Sequence, residues 1–279
     1  MIRYFKFVFL ILSICLVFIL IIAKIGFSQK YPPDISRIIN KKVLVVAIFK
    51  NDLAPFFAKD SKTGKLYGID IDLAKDIAKQ LGVKLKIIRI GNTFDNVVNA
   101  VAERKADIAI SCLSITLKRA LKVNFTQPYV YLHHALLINR LKAPQNFSNL
   151  NWINSPKTII GVMNGTSYVE FAKSDYPNAK IKKYNSWHKL TQDILKGKVT
   201  VILYDEIEIS RWMYTHPEEI FYVRKKILWN KVDSIAIAVN WKDIHLLSWL
   251  NIYLSMIKKN GKLKKIIHKY YKNTIGAFK

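Results

Sequence analysis

Cysteine is almost absent from this 279-residue sequence, which contains only Cys15 and Cys112. Cys15 lies within an apolar N-terminal segment, so Cys112 is the single thiol in the rest of the chain. One thiol cannot form an internal disulfide, and the folded part must be stabilised by its hydrophobic core. A chain of this length is large enough for one large domain or two modest lobes.

Acidic residues are also scarce, with 19 Asp and Glu against 45 Lys and Arg and a formal net charge of +26. Such a charge suggests nucleic-acid binding, because clustered Lys and Arg release counterions from phosphates. Here the excess is almost entirely Lys and is scattered along the chain. We therefore expect a Lys-rich solvated surface and no nucleic-acid partner. A weak attraction to anionic lipid or wall polymer stays open.

The longest uncharged run lies at the N-terminus, at positions 7–23, and it follows Arg3 and Lys6. A basic start before such a run predicts that residues 1–28 are a signal peptide or an N-terminal membrane anchor. Small residues at Gly26 and Ser28 make cleavage before Gln29 plausible, and both alternatives stay open. In both cases we expect the rest of the chain outside the cytoplasmic membrane, periplasmic or extracytoplasmic, and either free or anchored to that membrane.

Apolar strand patterns alternate with helical patterns through the rest of the chain, and the order starts again near residue 158. This alternation predicts an α/β fold with mostly parallel sheets flanked by helices, in two similar lobes. Before the first strand, residues 31–34 suggest a short spacer. Asp70 or Asp72 is expected to cap the first long helix. The predicted strands are 42–49, 83–90, 106–111, 158–163, 199–203 and 234–239, and the predicted helices begin near 68, 94, 168, 207, 246 and 262.

Polar side chains gather where these strands end, and ligands of open α/β sheets bind beyond the carboxyl ends of the strands. Arg119 offers a guanidinium that forms paired hydrogen bonds with a carboxylate, and Asp205 offers the opposite charge for an ammonium. Together they suit a zwitterion, an α-amino acid. Taken singly, each has a simpler explanation as a surface ion pair or a helix cap. The other polar residues at strand ends are Ser111, Cys112, Ser114, Thr166 and Ser167.

Several segments resemble one known family. S-C-L-S-I-T-L-K-R (111–119) is similar to the S-S-L-S-I-T-x-x-R segment of the extracellular solute-binding proteins that serve ABC importers of polar amino acids, such as the histidine-, glutamine- and lysine/arginine/ornithine-binding proteins. G-I-D-I-D-L (68–73), N-F-T-Q-P-Y (124–129), G-V-M-N-G-T-S (161–167) and Y-D-E (204–206) resemble further segments of that family in the same order. The resemblance extends over residues 43–271.

The resemblance implies the two-lobed periplasmic-binding-protein fold, in which two hinge strands join the lobes. Residues 41–131 and 235–279 would form lobe 1, and residues 132–234 would form lobe 2. It further implies a monomer that binds a free amino acid, presents it to an ABC permease complex in the membrane, performs no catalysis and needs no cofactor. Ligand would favour the closed arrangement of the lobes, because residues of both lobes contact it.

The same resemblance assigns roles at the site. Arg119 and Ser114 of lobe 1, with the backbone of Ser167 from lobe 2, would bind the α-carboxylate. Asp205 would bind the α-ammonium together with the Ser111 carbonyl and Cys112. Phe94 would form an aromatic lid over the ligand, and Thr166 completes the set from lobe 2.

Some positions depart from the family pattern. Cys112 replaces a Ser and is a weaker donor, and Leu53 lies where an aromatic residue often stacks on the ligand. Lys50 lies where members that select basic or amide side chains often carry Asp, so we expect an acidic ligand, glutamate or aspartate. His133 and His134 are adjacent, diverge on a strand, and are expected to pack rather than bind a metal.

An enzyme is the alternative on the same fold, because cyclohexadienyl dehydratases share it. Arogenate also carries an ammonium and carboxylates that would suit Asp205 and Arg119. Such an enzyme needs a general acid in the cleft, for which Glu206 or Glu170 are the candidates.

Overall fold

The computed structural model of the protein describes residues 31–145 and 149–274, with side chains as far as residue 271. The predicted signal peptide or anchor at residues 1–28 lies outside these ranges. Within them, none of the helices combines the length and apolar character needed to cross a membrane.

The helices are α1 Pro33–Lys41, α2 Ile69–Gln80, α3 Phe94–Ala102, α4 Leu117–Ala120, α5 Tyr168–Asp175, α6 Trp187–Leu195, α7 Glu206–Thr215, α8 Ile244–Lys259 and α9 Lys262–Thr274. The strands are β1 Val43–Phe49, β2 Ala58–Lys59, β3 Leu66–Tyr67, β4 Lys84–Ile90, β5 Ile108–Ser114, β6 Val123–Phe125, β7 Val130–Asn139, β8 Ile159–Met163, β9 Lys180–Tyr184, β10 Val201–Asp205 and β11 Val223–Asn240.

The main sheet runs in the order β4–β1–β5–β11–β7–β10–β8–β9, and its two halves have the same plan. In one half β1 pairs in parallel with β4 and β5, and in the other β8 pairs in parallel with β9 and β10. The long strands β7 and β11 pair antiparallel in the middle, with a register shift between Leu228 and Val232. This arrangement confirms the predicted α/β fold of two lobes joined by two strands.

Each half of the sheet has its own hydrophobic core. The first core packs α2 and α8 against β1 and β5, with a smaller cluster around α3 beside it. The second packs α5 and α6 against β8 and β10. Leu132 on β7 and Ile207 on α7 are exceptions, because they pack into the first core although they lie within residues 132–234. Two separate cores allow each lobe to remain rigid while the strands between them bend.

Two elements of the second lobe were not predicted from the sequence, β9 and α6. The β9 sequence K-I-K-K-Y lies at the edge of the sheet and buries only Tyr184, so its apolar signal is weak. Helix α6 begins at a Ser186 side chain that accepts the backbone N–H of Lys189. Serine is a typical capping residue, so Ser186 was a sequence signal for this helix that the prediction did not use.

The predicted spacer at residues 31–34 is wrong, because α1 begins at Pro33. Proline is accepted in the first helical turn, where its missing N–H needs no partner. Asp34 anchors this helix, since its carboxylate accepts the backbone N–H groups of Ile35 and Leu246, each at 2.9 Å. Ile38 is fully buried in the first core. The segment is therefore part of the folded lobe.

The predicted capping role of Asp70 or Asp72 is also wrong. Gly68 occupies the cap position with φ of 125°, and no side chain caps this helix. A Cβ at Gly68 would lie 2.2 Å from the Phe56 carbonyl oxygen, so glycine is required there. Asp70 is fully buried and accepts the Cys112 N–H at 2.8 Å and the Tyr129 hydroxyl at 2.7 Å. It therefore fixes the end of β5 instead.

Candidate functional site

A small cavity lies between the two lobes, beyond the ends of β5 and β10. Its volume is about 30 Å³, enough for about two water molecules. Eight of the ten predicted site residues line it, and the two others, Lys50 and Ser111, do not. We call this the inner cavity. Its lining residues are Leu53, Phe94, Cys112, Ser114, Arg119, Leu132, Thr166, Ser167, Tyr168, Tyr204, Asp205 and Asp233.

Arg119 is positioned by α4 and by its own hydrogen bonds. The Thr116 side chain accepts the Arg119 backbone N–H and caps the helix. The guanidinium is 5% exposed; its Nε donates to Asp95 Oδ1 at 3.0 Å and its Nη1 to the Ser114 carbonyl at 3.1 Å. These contacts fix the guanidinium plane at the cavity wall. The ion pair with Asp95 was not predicted.

Two serine hydroxyls meet across the cavity, one from each lobe. Ser114 Oγ and Ser167 Oγ lie 2.7 Å apart, and Ser114 Oγ also donates to Asp233 Oδ2 at 2.6 Å. Ser167 is the cap residue of α5 and makes no side-chain capping bond there, which leaves its hydroxyl for this contact. The predicted carboxylate-binding serines are thus brought together, and a carboxyl group already binds one of them.

Asp205 ends β10 and caps α7, because its Oδ1 accepts the Glu208 N–H at 2.8 Å. The pKa of Asp205 is raised to about 8, chiefly by burial and also by the nearby carboxyl groups of Glu208, Glu206 and Asp233, whereas the bond from the Glu208 N–H lowers it. Without a cation beside it, this carboxyl is therefore mostly protonated at neutral pH. An ammonium at this point would favour its ionised form.

The end of β5 shows how Ser111 and Cys112 differ. Ser111 is fully buried, and its hydroxyl accepts the Phe49 N–H at 2.8 Å within the sheet. Cys112 lines the cavity and has a positive φ of 46°, which a cysteine rarely adopts. The bond from its N–H to Asp70 holds this conformation. Burial raises the pKa of the Cys112 thiol, so it is a poor nucleophile.

Two buried polar atoms in the inner cavity have no hydrogen-bond partner among the described residues. They are Asp233 Oδ1 and the Tyr168 hydroxyl. Buried polar groups normally find a partner, so these atoms point to a polar ligand. Neither residue was predicted. The sequence did contain a signal for a role of Asp233, because it is a single acidic residue beside the apolar run 235–239 of β11.

Aromatic side chains form the walls of the cavity. Phe94 stacks on Phe49 with ring centroids 4.6 Å apart, and Tyr168 stacks on Tyr204 at 4.7 Å. His134 is buried against Tyr168 and Phe171, and burial lowers its pKa to about 4. His134 thus packs as a neutral aromatic residue on the second lobe. His133 diverges from it, as predicted, and contacts Trp229.

A second, larger cavity adjoins the first through Leu53, Phe94, Thr166 and Tyr204. Its volume is about 510 Å³, and we call it the outer pocket. Lys50 lines it and donates to Asn92 Oδ1 at 2.7 Å. The charge of Asp52 is balanced by Arg89 at 2.6 Å. The remaining polar lining residues of the outer pocket are Asn51, Thr93, Asn164 and Asn185.

The lobes touch at the rim of these cavities. Gly165 follows β8 with φ of 72°, and a Cβ there would lie 2.5 Å from the Thr93 Cβ of the other lobe. Lys118 Nζ lies 3.7 Å from Glu170 Oε1 across the same gap. Glu206 has a buried Oε2 without a described partner, and burial raises its pKa to about 7. Neither Glu170 nor Glu206 is among the described residues that line the two cavities.

Proteins similar to this chain include amino-acid-binding proteins and a dehydratase. The chain is 27% identical over 219 residues to ABC transporter arginine-binding protein 1 of Escherichia coli, which covers 78% of this chain and 86% of that protein. It is 28% identical over 190 residues to the cyclohexadienyl dehydratase of Pseudomonas aeruginosa, with 68% and 69% covered. A Streptococcus pneumoniae amino acid ABC transporter substrate-binding protein bound to L-arginine superimposes with a TM-score of 0.70 at 27% identity, over 86% of this chain and 98% of that one.

The family comparison covers most of the described chain. Residues 45–273 match the family described as bacterial extracellular solute-binding proteins, family 3. The match includes both lobes, both middle strands and all residues that line the inner cavity. The chain therefore belongs to family 3 of the bacterial extracellular solute-binding proteins.

Proposed function

We propose that this protein binds a free polar amino acid between its lobes and delivers it to the membrane permease of an ABC importer. One observation carries the proposal. The inner cavity brings the guanidinium of Arg119 and the carboxyl of Asp205, from different lobes, to a space that also contains unpartnered polar atoms. A zwitterion needs opposite charges on two sides, and burial strengthens both interactions.

In this proposal Arg119, Ser114 and Ser167 bind the α-carboxylate, and Asp205 binds the α-ammonium. Nε and Nη1 of Arg119 have protein partners, which orients Nη2 for the ligand. The inner cavity is smaller than an amino acid, so the lobes must separate before binding. Residues 41–131 with 235–279 would move relative to residues 132–234, and β7 and β11 would bend near Leu228 and Val232.

The side chain of the ligand would extend into the outer pocket. Lys50 brings a cation to this pocket, whereas Asp52 is already paired with Arg89. An acidic side chain would therefore be attracted and a basic one repelled. We propose glutamate or aspartate as the preferred ligand. The protein would act as a monomer outside the cytoplasmic membrane, with residues 1–28 either removed or retained as a tether.

The test is a thermal-shift screen of the purified protein against the twenty amino acids, followed by calorimetric titration. We expect glutamate and aspartate to give the largest increase in Tm. A preference for arginine or lysine would overturn the acidic assignment and leave amino-acid binding intact. If no amino acid raises Tm, the proposed function is wrong.

An exported dehydratase is the second candidate, favoured by the likeness to cyclohexadienyl dehydratase and by the buried acid Glu206. Prephenate and arogenate would each be incubated with the protein and assayed for phenylpyruvate and phenylalanine. The protein would be established as an enzyme if it converts either substrate, if Glu206→Gln abolishes this turnover and if Glu170→Gln retains it. We expect no product, because Glu206 lies outside the described lining of the inner cavity.

A further inference from the structure

Asp233 places a second carboxyl group in the lining of the inner cavity. It lies on β11, next to the point where the strands that join the lobes change register, and it is 2% exposed. Its Oδ2 accepts the Ser114 hydroxyl, which in turn contacts the Ser167 hydroxyl. Its Oδ1 is buried without a described partner. No ion pair within 4.0 Å involves Asp233 among the described residues.

This geometry creates a conflict for a ligand carboxylate. Ser114, which is proposed to bind that carboxylate, already donates to the carboxyl of Asp233, and the Ser167 hydroxyl is engaged with Ser114. The nearest cation is Arg119, and part of its guanidinium is bound to Asp95. Two carboxylates forced together in a buried site do not both remain ionised, because one of them takes up a proton.

We propose that Asp233 contacts the bound amino acid as a neutral carboxylic acid, so that ligand binding takes up one proton at this residue. The inference rests on the proposed function. In the bound state the proton lies on Oδ1, which donates to the ligand carboxylate, and the single hydroxyl proton of Ser114 turns from Oδ2 to that carboxylate. The unpartnered oxygen thereby gains the partner that it lacks in the empty protein.

The surroundings of Asp233 permit this change of charge. Burial raises its pKa to about 6, while the Ser114 hydroxyl, the charge of Arg119 and the Ser167 hydroxyl lower it. In the empty protein Asp233 is therefore mostly ionised at neutral pH, and a ligand carboxylate would raise its pKa further. The charged and titratable groups that face it are Cys112, Arg119, Tyr168, Tyr204, Asp205 and Glu206.

The experiment compares the wild type with Asp233→Asn by calorimetric titration from pH 5 to pH 8. The probe is L-glutamate, replaced by the best amino acid of the thermal-shift screen if glutamate is silent. Asparagine imitates the neutral acid, because its amide both donates and accepts. We expect equal affinities at pH 5, about tenfold tighter binding by the variant at pH 7, and about 100-fold at pH 8. Asp193→Asn, an equally buried acid outside the cavity, is the control and should leave the pH dependence unchanged.

Proton uptake gives an independent readout. Titrations at pH 7.5 in two buffers with different ionisation enthalpies should show the wild type taking up about one proton more per ligand than Asp233→Asn. If Asp233→Asn does not fold, the pH dependence of the wild-type affinity alone tests the inference. Asp205 must lose a proton to bind the ammonium, which by itself would make the affinity of the wild type rise up to about pH 8. Proton uptake at Asp233 opposes this rise, so the affinity of the wild type should be nearly constant between pH 6 and pH 8.

Three results would overturn the inference. They are a constant ratio of affinities from pH 5 to pH 8, weaker binding by Asp233→Asn at every pH, and a wild-type affinity that rises tenfold per unit from pH 6 to pH 8. Weaker binding at every pH would instead make Asp233 an ionised partner of the ammonium. Failure of the proposed function is distinct, because then no amino acid binds either protein at any pH.

Discussion

The inner cavity and the outer pocket adjoin each other and differ in almost every physical property. The inner cavity is small and acidic, with Asp205 and Asp233 beside the guanidinium of Arg119. The outer pocket is more than ten times larger and is lined by asparagines and Lys50. The buried charges of Arg119 and Asp233 act through a low dielectric, whereas the exposed charge of Lys50 is screened by water.

This difference indicates which cavity would bind each of the two parts of an amino acid. The invariant ammonium and carboxylate require fixed charges at short range, which the inner cavity provides. Side chains differ in length and charge, and the roomy outer pocket can discriminate among them with modest energies. Changes in the inner cavity should therefore abolish binding, whereas changes in the outer pocket should alter only the choice of ligand.

The largest expected effect comes from Arg119→Met, which leaves a buried carboxylate without its cation. We expect a loss of about 3–5 kcal/mol, or about 10²- to 10³-fold or more in Kd. Asp95→Asn is the control, because it breaks the same ion pair but keeps the guanidinium. Calorimetry should show near-normal binding by Asp95→Asn. Equal losses in both variants would mean that the ion pair, rather than the ligand contact, matters.

A pH titration of stability addresses Asp205 and Asp233 of the inner cavity and the buried acid Asp70, which binds the Cys112 N–H beside it. Burial raises the pKa of Asp70 to about 7, of Asp205 to about 8 and of Asp233 to about 6. Groups with a raised folded pKa stabilise the fold below their unfolded pKa, near 4, and this stability is lost as pH rises through the folded pKa. His134, with a lowered pKa, acts in the opposite direction below about pH 6.5.

Three acids outweigh one histidine, so the stability of the ligand-free protein should fall continuously from about pH 4 to pH 8. The interval from pH 6.5 to pH 8 is the clearest test, because His134 no longer contributes there. Over that interval we expect a loss of about 2 kcal/mol, or a decrease in Tm of ~5 °C, because one pKa unit corresponds to about 1.4 kcal/mol. Asp205→Asn should flatten the profile, as measured by scanning calorimetry. An empty wild-type protein whose Tm rises over this interval would contradict the burial of these acids.

Closure of the lobes is tested at Gly165. A Cβ there would collide with Thr93, whose Cβ cannot move without shifting α3, so Gly165→Ala should hinder closure. We expect a cost of about 1–3 kcal/mol, or about tenfold in Kd. Gly82→Ala is a matched control, because Gly82 also has φ near 67° but nothing within 4 Å of its Cβ position. If both variants weaken binding equally, backbone strain is the cause and the contact between lobes is not.

The smallest effect is expected in the outer pocket. Lys50→Asp should shift the preference from acidic towards basic side chains by about 1 kcal/mol, or about fivefold in relative Kd, because exposed charge pairs contribute little. Competition between glutamate and arginine would measure this ratio. Lys62→Asp makes the same change of charge at an exposed turn and should leave the ratio unchanged. A ratio that Lys50→Asp does not alter would place the side chain elsewhere.

Much of the architecture is visible in the local sequence pattern. The apolar run of β1 and the periodic helix α2 follow from side-chain spacing alone. The errors occur where that spacing is weak or misleading. Edge strand β9 has little apolar signal, and the pair Pro32–Pro33 suggested a linker although a proline can start a helix. Local rules detect apolar faces well, and they detect exposed edges and helix starts poorly.

The sequence by itself determined which chemical groups lie at the strand ends, among them Arg119 and Asp205, because strand patterns end at identifiable residues. Only the tertiary structure decided which of these groups meet. Ser114 and Asp233 are 119 residues apart, and Ser114 and Ser167 are 53 apart. Their contacts arise from the pairing of β5 with β11 and from the approach of the lobes. Such long-range geometry depends on the packing of the whole chain, and no local pattern of residues encodes it.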